Sequence, residues 1–417
     1  MRILHVTAHL GGGVGKAHAA IAGADPAAIR RHYAVLEAPR DRRFADALAA
    51  SGATLSIAPD PQELARLAAE ADIVQVEWWN HPRIYEALCR TPFPPMRSLV
   101  WCHISGLFAP FVPPALMTAA QRFVFTSACS LDMPEVAALP PETRARLAVV
   151  NSGFGFPERS GEPAAARHPR RIACLGTLDF VKLSPALFDV VDRLEGEGID
   201  VSLYGAVEAD GPVAEAHRRM RRPERIVFEG HAADPAAVLG EAGIFLYLLQ
   251  PEHYGTAENA LVEAMSLGAV PVVFDNPAER AIVRDGITGH VAADATDAGR
   301  RLQSMLDRPG DLVPLARAAM AEVAATRTPD VSSARFIALY RDLLGEAPTL
   351  PDFAAGLGRT PADWFLSTRL RGHRPGGSTD ALIAGFAAGG AEAKGSLAHF
   401  RGCFPADLSL QPGGGRP

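Results

Sequence analysis

The sequence predicts two doubly wound α/β domains in tandem, followed by a short and mostly helical extension. Three observations carry that expectation. Short β-rich runs alternate with Ala/Leu-rich stretches of helical period up to about residue 151, and the alternation restarts at residue 171. Between the two series lies a segment, 152–170, rich in Gly, Pro and charge. The 417 residues suffice for two domains of about 150 residues each, with an appendage. The division expected is 1–155, a linker at 156–170, a second domain at 171–330, a closing helix at 331–345 and an extension at 346–417.

In the first series strands are expected at 2–8, 32–37, 53–57, 72–77, 98–103, 122–127 and 147–151, with intervening helices such as 62–71 (QELARLAAEA). The second series gives strands at 171–176, 200–205, 225–229, 244–249 and 270–274, and the helix 331–345 closes that half. The extension holds short helical pieces such as 361–370, and its end, 412–417 (PGGGRP), is expected to be disordered. Parallel sheets of this kind bind ligands beyond the carboxyl ends of their strands. The cleft between two such domains is therefore the expected site.

Composition narrows the function. Apolar residues make 48% and charged residues 21%, as in ordinary globular chains. Lys+Arg 41 against Asp+Glu 47 gives net charge −6, without the basic field of a nucleic-acid binder. Five cysteines without metal-ligand spacing argue against a disulfide framework or zinc site and suit a reducing cytoplasm. The opening run is too short for a signal peptide. The uncharged stretch between Arg97 and Arg122 is broken by His103, Gly106, Pro110, Pro113 and Pro114, which disfavours a spanning helix. Its apolar loop, 106–114, is expected to pack beneath the extension, with contact to a membrane surface or lipid-linked acceptor as the alternative.

The most informative segment is 251–275. A strand leads into a loop, then into a helix expected from Ala257 to Leu267, with Thr256 as N-cap and Gly268 as its stop. That helix is apolar nearly all round, yet Thr256, Asn259, Glu263 and Ser266 share one face. A buried carboxylate needs a donor. For Glu263 an arginine, a backbone amide or the vicinal diol of a ribose would serve. Glu258, at the start of the helix, has either a dipole-stabilising or a ligand role. Lys182 lies just past the strand that ends at Gly176-Thr177, placed to meet a phosphate, and only three lysines occur in the chain.

In the first half, His103 follows a strand and can face a sugar hydroxyl or phosphate. Trp78 and Trp79 offer aromatic faces or simple packing. The turn containing Gly11, Gly12, Gly13 and Lys16 fits neither the phosphate-loop nor the dinucleotide pattern, although its glycines and helix start suit an anion. The cluster Arg30, Arg31, Arg40, Arg42 and Arg43 is a weaker anion-site candidate and is expected to be solvated surface.

Taken in order, these pieces resemble the retaining glycosyltransferases of family four, which have the GT-B architecture. The resemblance runs from Ile-Leu-His-Val-Thr and the Gly-rich turn through Val-Trp-Cys-His103, Val-Val-Asn-Ser-Gly153, Leu-Gly176 to Lys182, and Leu-Tyr-Gly205. It continues through Asn-Ala-Leu-Val-Glu263-Ala-Met and Asp285-Gly-Ile-Thr-Gly289, covering about 1–345. It implies a nucleotide-sugar donor (UDP-, GDP- or ADP-linked) held by the second domain and a glycan or lipid-linked acceptor held by the first. No separate cofactor or metal is implied.

By the resemblance, His103, Lys182 and Glu258 are the catalytic candidates. Donor binding falls to Gly12, Gly13, Gly176, Thr177, Lys182, Gly205, Tyr254, Gly255, Thr256, Ala257, Glu258, Asn259 and Glu263. Glu263 would take the ribose hydroxyls and Lys182 the diphosphate. Two positions depart from the family. Gly255 stands where its first carboxylate falls, with Glu252 or Glu258 as the substitute. Thr177 stands where its phosphate-binding arginine falls. These departures keep open a catalytically silent protein that binds a sugar nucleotide or glycan; a sugar-phosphate synthase or phosphorylase on the same fold, marked by a second anion site in the first domain, is the other alternative. The expected location is the cytoplasm or the inner face of its membrane.

Overall fold

The computed structural model describes residues 1–39, 41–156, 161–387 and 394–411. The chain forms two compact units, Met1–Ser152 with Ser332–Pro417, and Gly153–Val331. Arg40, part of the expected linker and the end 412–417 fall outside the described residues.

The first unit is built on a parallel sheet of seven strands. These are β1 (Arg2–Thr7), β2 (Arg30–Val35), β3 (Thr54–Ile57), β4 (Ile73–Trp78), β5 (Ser98–Cys102), β6 (Arg122–Phe125) and β7 (Leu147–Val149). Their spatial order, β3-β2-β1-β4-β5-β6-β7, is that of a doubly wound sheet, with its switch point between β1 and β4. Each strand lies within two or three residues of its expected position.

Alternation along the central strands sorts the two faces of this sheet. Leu4, Val6, Val74, Val76, Trp78, Val100 and Cys102 enter one large apolar core. The other parity, His5 on β1 with Gln75 and Glu77 on β4, puts polar groups on the opposite face. There the register sets His5 beside Gln75 and Glu77 beside Trp101.

The closing helix, Pro329–Leu344, packs on this polar face, whereas the sequence grouped it with the second half. Phe336 meets the Trp101 ring edge-on at 4.8 Å, and the Tyr340 hydroxyl donates to Gln75 Oε1 at 2.6 Å. Ser332 Oγ donates to the Asn151 carbonyl at 2.9 Å.

The extension is part of the same core. Phe353, Trp364, Phe365 and Phe400 are at most 2% exposed and belong to the apolar cluster of the first sheet. At about 1.5–3 kcal/mol per buried large side chain, the four contribute roughly 6–12 kcal/mol, comparable to the whole stability of a domain. The apolar loop 106–114 lies beneath this extension, as expected. Phe111 N–H donates to the Thr368 carbonyl at 2.8 Å, and Arg371 covers the Phe111 ring at 4.0 Å. Among the described residues no helix is long and apolar enough to cross a membrane. None of the five cysteines, all among the described residues, forms a disulfide.

The second unit carries a parallel sheet of six strands: β8 (Ile172–Leu175), β9 (Val201–Tyr204), β10 (Ile226–Gly230), β11 (Ile244–Tyr247), β12 (Val270–Phe274) and β13 (His290–Ala292). Their order is β10-β9-β8-β11-β12-β13. Only β13 was not expected. It is short and half-polar, so its sequence carries little strand signal. The turns after β8 and β9 abut. A Cβ on Gly205 would lie 2.3 Å from the Gly176 carbonyl oxygen, so only glycine fits there.

The helix bearing Glu263 runs Asn259–Ser266, two residues shorter at its start than expected. Its N-cap is Glu258, not Thr256, and Glu258 adopts a left-handed conformation with φ 37° and no side-chain capping bond. The reason is the Glu258 carboxylate, which turns to Lys182 and the Tyr247 hydroxyl instead of capping the helix. Gly268 ends the helix as expected, with φ +78° and its N–H on the Met265 carbonyl.

Candidate functional site

In the second unit the loops after β8 and β11 bring two expected residues, Lys182 and Glu258, into one place with Tyr247. Lys182 Nζ lies 3.0 Å from Glu258 Oε2. The Tyr247 hydroxyl, at the carboxyl end of β11, donates to the same oxygen at 2.6 Å. Lys182 Nζ also sits 5.8 Å from the Tyr247 ring centroid. The Glu258 side chain is 1% exposed and that of Lys182 is 20% exposed. Burial alone would push the Glu258 carboxyl up, but Lys182 and the Tyr247 hydroxyl together hold it below the usual carboxylate range. Burial opposes the charge on Lys182 as well, and Glu258 outweighs it, so its pKa is raised. The pair is ionised at neutral pH.

The other oxygen of Glu258 is unsatisfied. Oε1 is buried and has no hydrogen-bond partner. The nearest imidazole nitrogen, His253 Nδ1 at 3.8 Å, accepts the Gly255 N–H at 3.0 Å and so presents a lone pair. The His253 proton is on Nε2, which donates to Glu279 Oε2 at 3.2 Å. A buried carboxylate oxygen without a donor costs about 1–3 kcal/mol or more, and a ligand hydroxyl would remove that cost.

Gly255 explains how this arrangement fits. A Cβ at 255 would fall 1.9 Å from Glu258 Oε1. The missing side chain at 255 leaves the volume that the Glu258 carboxylate fills, so the acid comes from three residues further along a reshaped loop. Nearby, Thr177 and Tyr254 are exposed, Gly176 and Ala257 are half-buried, and Thr256 is buried. Asn259 begins the helix, and its buried Oδ1 has no hydrogen-bond partner. Glu263 is 3% exposed on the same helix, four residues beyond it. Tyr247, His253 and Glu279 were not anticipated. Only Tyr247, a hydroxyl at the end of an apolar strand, left a readable signal.

In the first unit, His103 follows β5, and its side chain is 6% exposed. Its Nε2 lies 3.1 Å from Glu77 Oε2 on β4. Glu77 is buried and also lies 3.0 Å from His18 Nε2. It accepts from His5 Nδ1 at 2.8 Å and from Gln75 Nε2 at 2.9 Å. Burial would raise its pKa, but His18, His103 and His5 hold it well below the usual range. An ionised carboxylate only accepts, so the His103 proton resides on Nε2 and Nδ1 keeps a lone pair. Burial lowers the His103 pKa, which leaves the ring neutral. The sequence signal for Glu77 was a carboxylate inside an otherwise apolar strand.

Ligand atoms of His5, His18 and Glu77 lie within 4.8 Å of one another, close enough for a metal ion. The hydrogen-bond directions do not suit one. Arg31 Nη1 donates to His5 Nε2 at 2.8 Å, which fixes the His5 proton on Nδ1 against Glu77. A metal on Nδ1 would move the proton to Nε2, facing the guanidinium. Arg31 itself corrects an expectation. It is 5% exposed and paired with Asp25, while Arg30, Arg42 and Arg43 are surface residues. Gly12 and Gly13 form the exposed start of the helix Gly12–Gly23.

Residues 169–308 match the family model described as Glycosyl transferases group 1. No curated protein matches the chain. Among solved structures, a glycosyltransferase from Rickettsia africae is 14% identical with a TM-score of 0.66, covering 82% of this chain and 98% of its own. Anabaena HepE, crystallised with UDP-glucose, is 15% identical with a TM-score of 0.65, covering 82% of this chain and 100% of its own. Sucrose-phosphate synthase from Thermosynechococcus elongatus is 16% identical with a TM-score of 0.60, covering 83% and 100%. These likenesses identify the fold as GT-B, with a helical C-terminal region.

Proposed function

We propose that this protein transfers a sugar from a nucleotide-sugar donor to a glycan or lipid-linked acceptor, with retention at the anomeric carbon. The observation that carries the reading is the Glu258 carboxylate. It is ionised by Lys182 and Tyr247 on one oxygen and left without a donor on the other. A sugar hydroxyl supplies the missing donor. The match of residues 169–308 and the HepE complex with UDP-glucose support a nucleotide sugar as the ligand.

In this reading Lys182 stabilises the charge that grows on the leaving nucleoside diphosphate. Glu263 takes the ribose hydroxyls, and Glu258 orients the transferred ring. His103, neutral with an accepting Nδ1, accepts a hydrogen bond from a hydroxyl of the donor sugar and fixes its orientation. The acceptor hydroxyl attacks from the face that the diphosphate leaves. The Glu258 carboxylate in the space beside Gly255 favours an enzyme over a silent binder, because the acid missing at 255 is restored from 258.

A thermal-shift screen across UDP-, GDP- and ADP-sugars tests the reading, since a ligand of the folded state raises its apparent stability. The donor that stabilises the protein should then be consumed, by transfer or slow hydrolysis. Saturable binding without consumption would instead indicate a binding protein, and no shift with any donor would contradict the reading.

A further inference from the structure

A cavity of ≈630 Å³ opens at the amino-terminal edge of the first sheet, between the starts of β1, β2 and β3 and the ends of the helices Gly12–Gly23, Arg43–Ala50 and Pro61–Glu70. Its volume is within the roughly 300–1,000 Å³ typical of small-molecule sites. Sugar transfer as proposed above does not use it. β1 and β2 are six residues long, about 20 Å, and His103 follows β5 at the opposite, carboxyl end of the sheet. A ligand in this cavity is therefore not a reacting acceptor.

The lining joins apolar surface from Ile3, Leu4 and Leu67 to a charged rim. On that rim the guanidiniums of Arg2, Arg30 and Arg31 outnumber the carboxylates of Asp25 and Glu70. Both carboxylates are already matched. Glu70 Oε1 accepts from Arg66 Nη1 at 2.7 Å, and Asp25 accepts from Arg31 Nε at 2.5 Å and Nη2 at 3.1 Å. Arg2 pairs with Asp72 at 3.7 Å. The Arg30 side chain has no ion pair or hydrogen bond among the described residues.

Arg31 links this cavity to the catalytic end. Its side chain is 3% exposed. Of the five guanidinium N–H bonds, Asp25 takes those of Nε and one of Nη2, while Nη1 donates to His5 Nε2 at 2.8 Å and to the Tyr340 hydroxyl at 3.3 Å. The second Nη2 hydrogen has no acceptor among the described residues. Through His5 the guanidinium governs Glu77, and Glu77 holds His103. The two tautomers of His5 are the two states of this link. Burial pushes the His5 pKa down to about 3, so the ring is neutral in both. With Arg31 on Nε2, the His5 proton is on Nδ1 and is donated to Glu77. The guanidinium is rigid and planar, so turning Nη2 toward an anion moves Nη1 off His5. The proton is then released to move from Nδ1 to Nε2, and an Nδ1 lone pair opposes Glu77 Oε1. Glu77 loses one of its donors, and its hydrogen bond to His103 changes.

We propose that this cavity binds an organic anion, a phosphate or carboxylate on an apolar body, and that its occupancy lowers turnover by drawing Arg31 away from His5. The effect on turnover rests on the glycosyl-transfer reading above; binding and the change at His5 do not. Arg30 and the remaining Nη2 hydrogen of Arg31 meet the anion, and Ile3, Leu4 and Leu67 take the apolar body. A neutral ligand of the same shape leaves Arg30 unmatched, and a cationic one is repelled by it.

The test uses the full chain and naphthalene probes that differ in the charge of one substituent. 1-Naphthyl phosphate and 1-naphthoate are the anions, 1-naphthalenemethanol the neutral analogue and 1-naphthylmethylamine the cation. Probe fluorescence should show saturable binding of an anion, at least about tenfold tighter than the neutral and cationic analogues. Arg30→Gln should weaken the anion about tenfold, the loss expected of a charge-assisted bond. Ala27 is exposed and lines the cavity, so Ala27→Trp should fill it and abolish binding. Melting curves check that both variants fold. In histidine-labelled protein, saturation with the anion should move the His5 ¹⁵N shifts from the Nδ1–H to the Nε2–H pattern and displace those of His103. If no anion binds, if the neutral analogue binds equally well, or if binding is unchanged in either variant, the site is overturned. Unmoved His5 and His103 shifts at saturation would overturn its link to the catalytic end. None of these readouts needs a donor, so they separate failure of this site from failure of the donor reading, which the nucleotide-sugar screen decides.

Discussion

Replacing Lys182 with methionine removes the cation from a buried pair while keeping much of the stem. The pair is 3.0 Å long and Glu258 is 1% exposed, so the variant strands a carboxylate that only Tyr247 still supports. Breaking such a pair costs about 3–5 kcal/mol, and the remaining hydroxyl places this case at the lower end. Turnover should fall further than stability explains. A charge-assisted bond to the leaving diphosphate contributes about 1.5–3 kcal/mol, which converts to roughly a 10- to 150-fold loss.

The double variant Lys182→Met/Glu258→Gln removes the stranded charge and should recover most of the stability but none of the turnover. The pH dependence gives an independent check. Glu258 is held below its ordinary 4.5, so the pair's contribution is complete above that value and is lost as pH falls through the folded pKa. Lys182 is held above its ordinary 10.5, so its contribution is complete below that value and is lost as pH rises through the folded pKa. In Lys182→Met, burial dominates at Glu258, and its contribution to stability should instead grow as the medium is acidified. Urea denaturation across pH, together with donor-consumption rates, measures both effects. Turnover within about threefold of the parent, which is less than about 1 kcal/mol, would refute the assignment of Lys182.

Three further outcomes follow. Gly255→Ala drives a methyl to within 1.9 Å of Glu258 Oε1, so it should displace that carboxylate and abolish most turnover while melting within a few degrees of the parent; activity near the parent's would contradict the packing argument. Glu77→Gln puts an amide donor among groups that already donate, at about 1–3 kcal/mol per unsatisfied group. It should lower turnover with little change in donor KM and alter the ¹⁵N shifts of His103, whereas unchanged shifts would remove Glu77 as the residue that positions His103. Truncation after residue 345 exposes the core that Phe353, Trp364, Phe365 and Phe400 cover, and should yield aggregated protein; a soluble, cooperatively melting product would show the extension to be dispensable.

Strand positions were legible because the sheets are buried on both faces and their apolar runs are punctuated by glycine, proline and charge. The missed β13 is punctuated by Gly289 and Asp294 but spans only three residues, two of them half-buried. The helix at 259 was legible as an element, but its start was not. Thr256 satisfies the local rule for a cap, and only the tertiary pull of Lys182 and Tyr247 makes Glu258 the boundary. The site divides in the same way. Lys182 and His103 stood out as polar residues just past strand ends and Glu258 as an acid at a helix start, whereas Glu77 and Tyr247 act through side-chain partners 26 and 11 residues away that no local pattern announces. The closing helix and the extension carry ordinary amphipathic patterns, which say that a face is buried but not against which sheet. Only contacts such as Tyr340 with Gln75 decide that.

Calorimetric titration of UDP, GDP and ADP into the parent protein and its Glu263→Gln variant bears most directly on the nucleotide-sugar assignment. One nucleotide should bind the parent at one site per chain, and the variant should bind it at least about tenfold more weakly, the loss expected from a buried charged hydrogen bond. Absence of saturable binding by all three, or equal affinity in the variant, would contradict it.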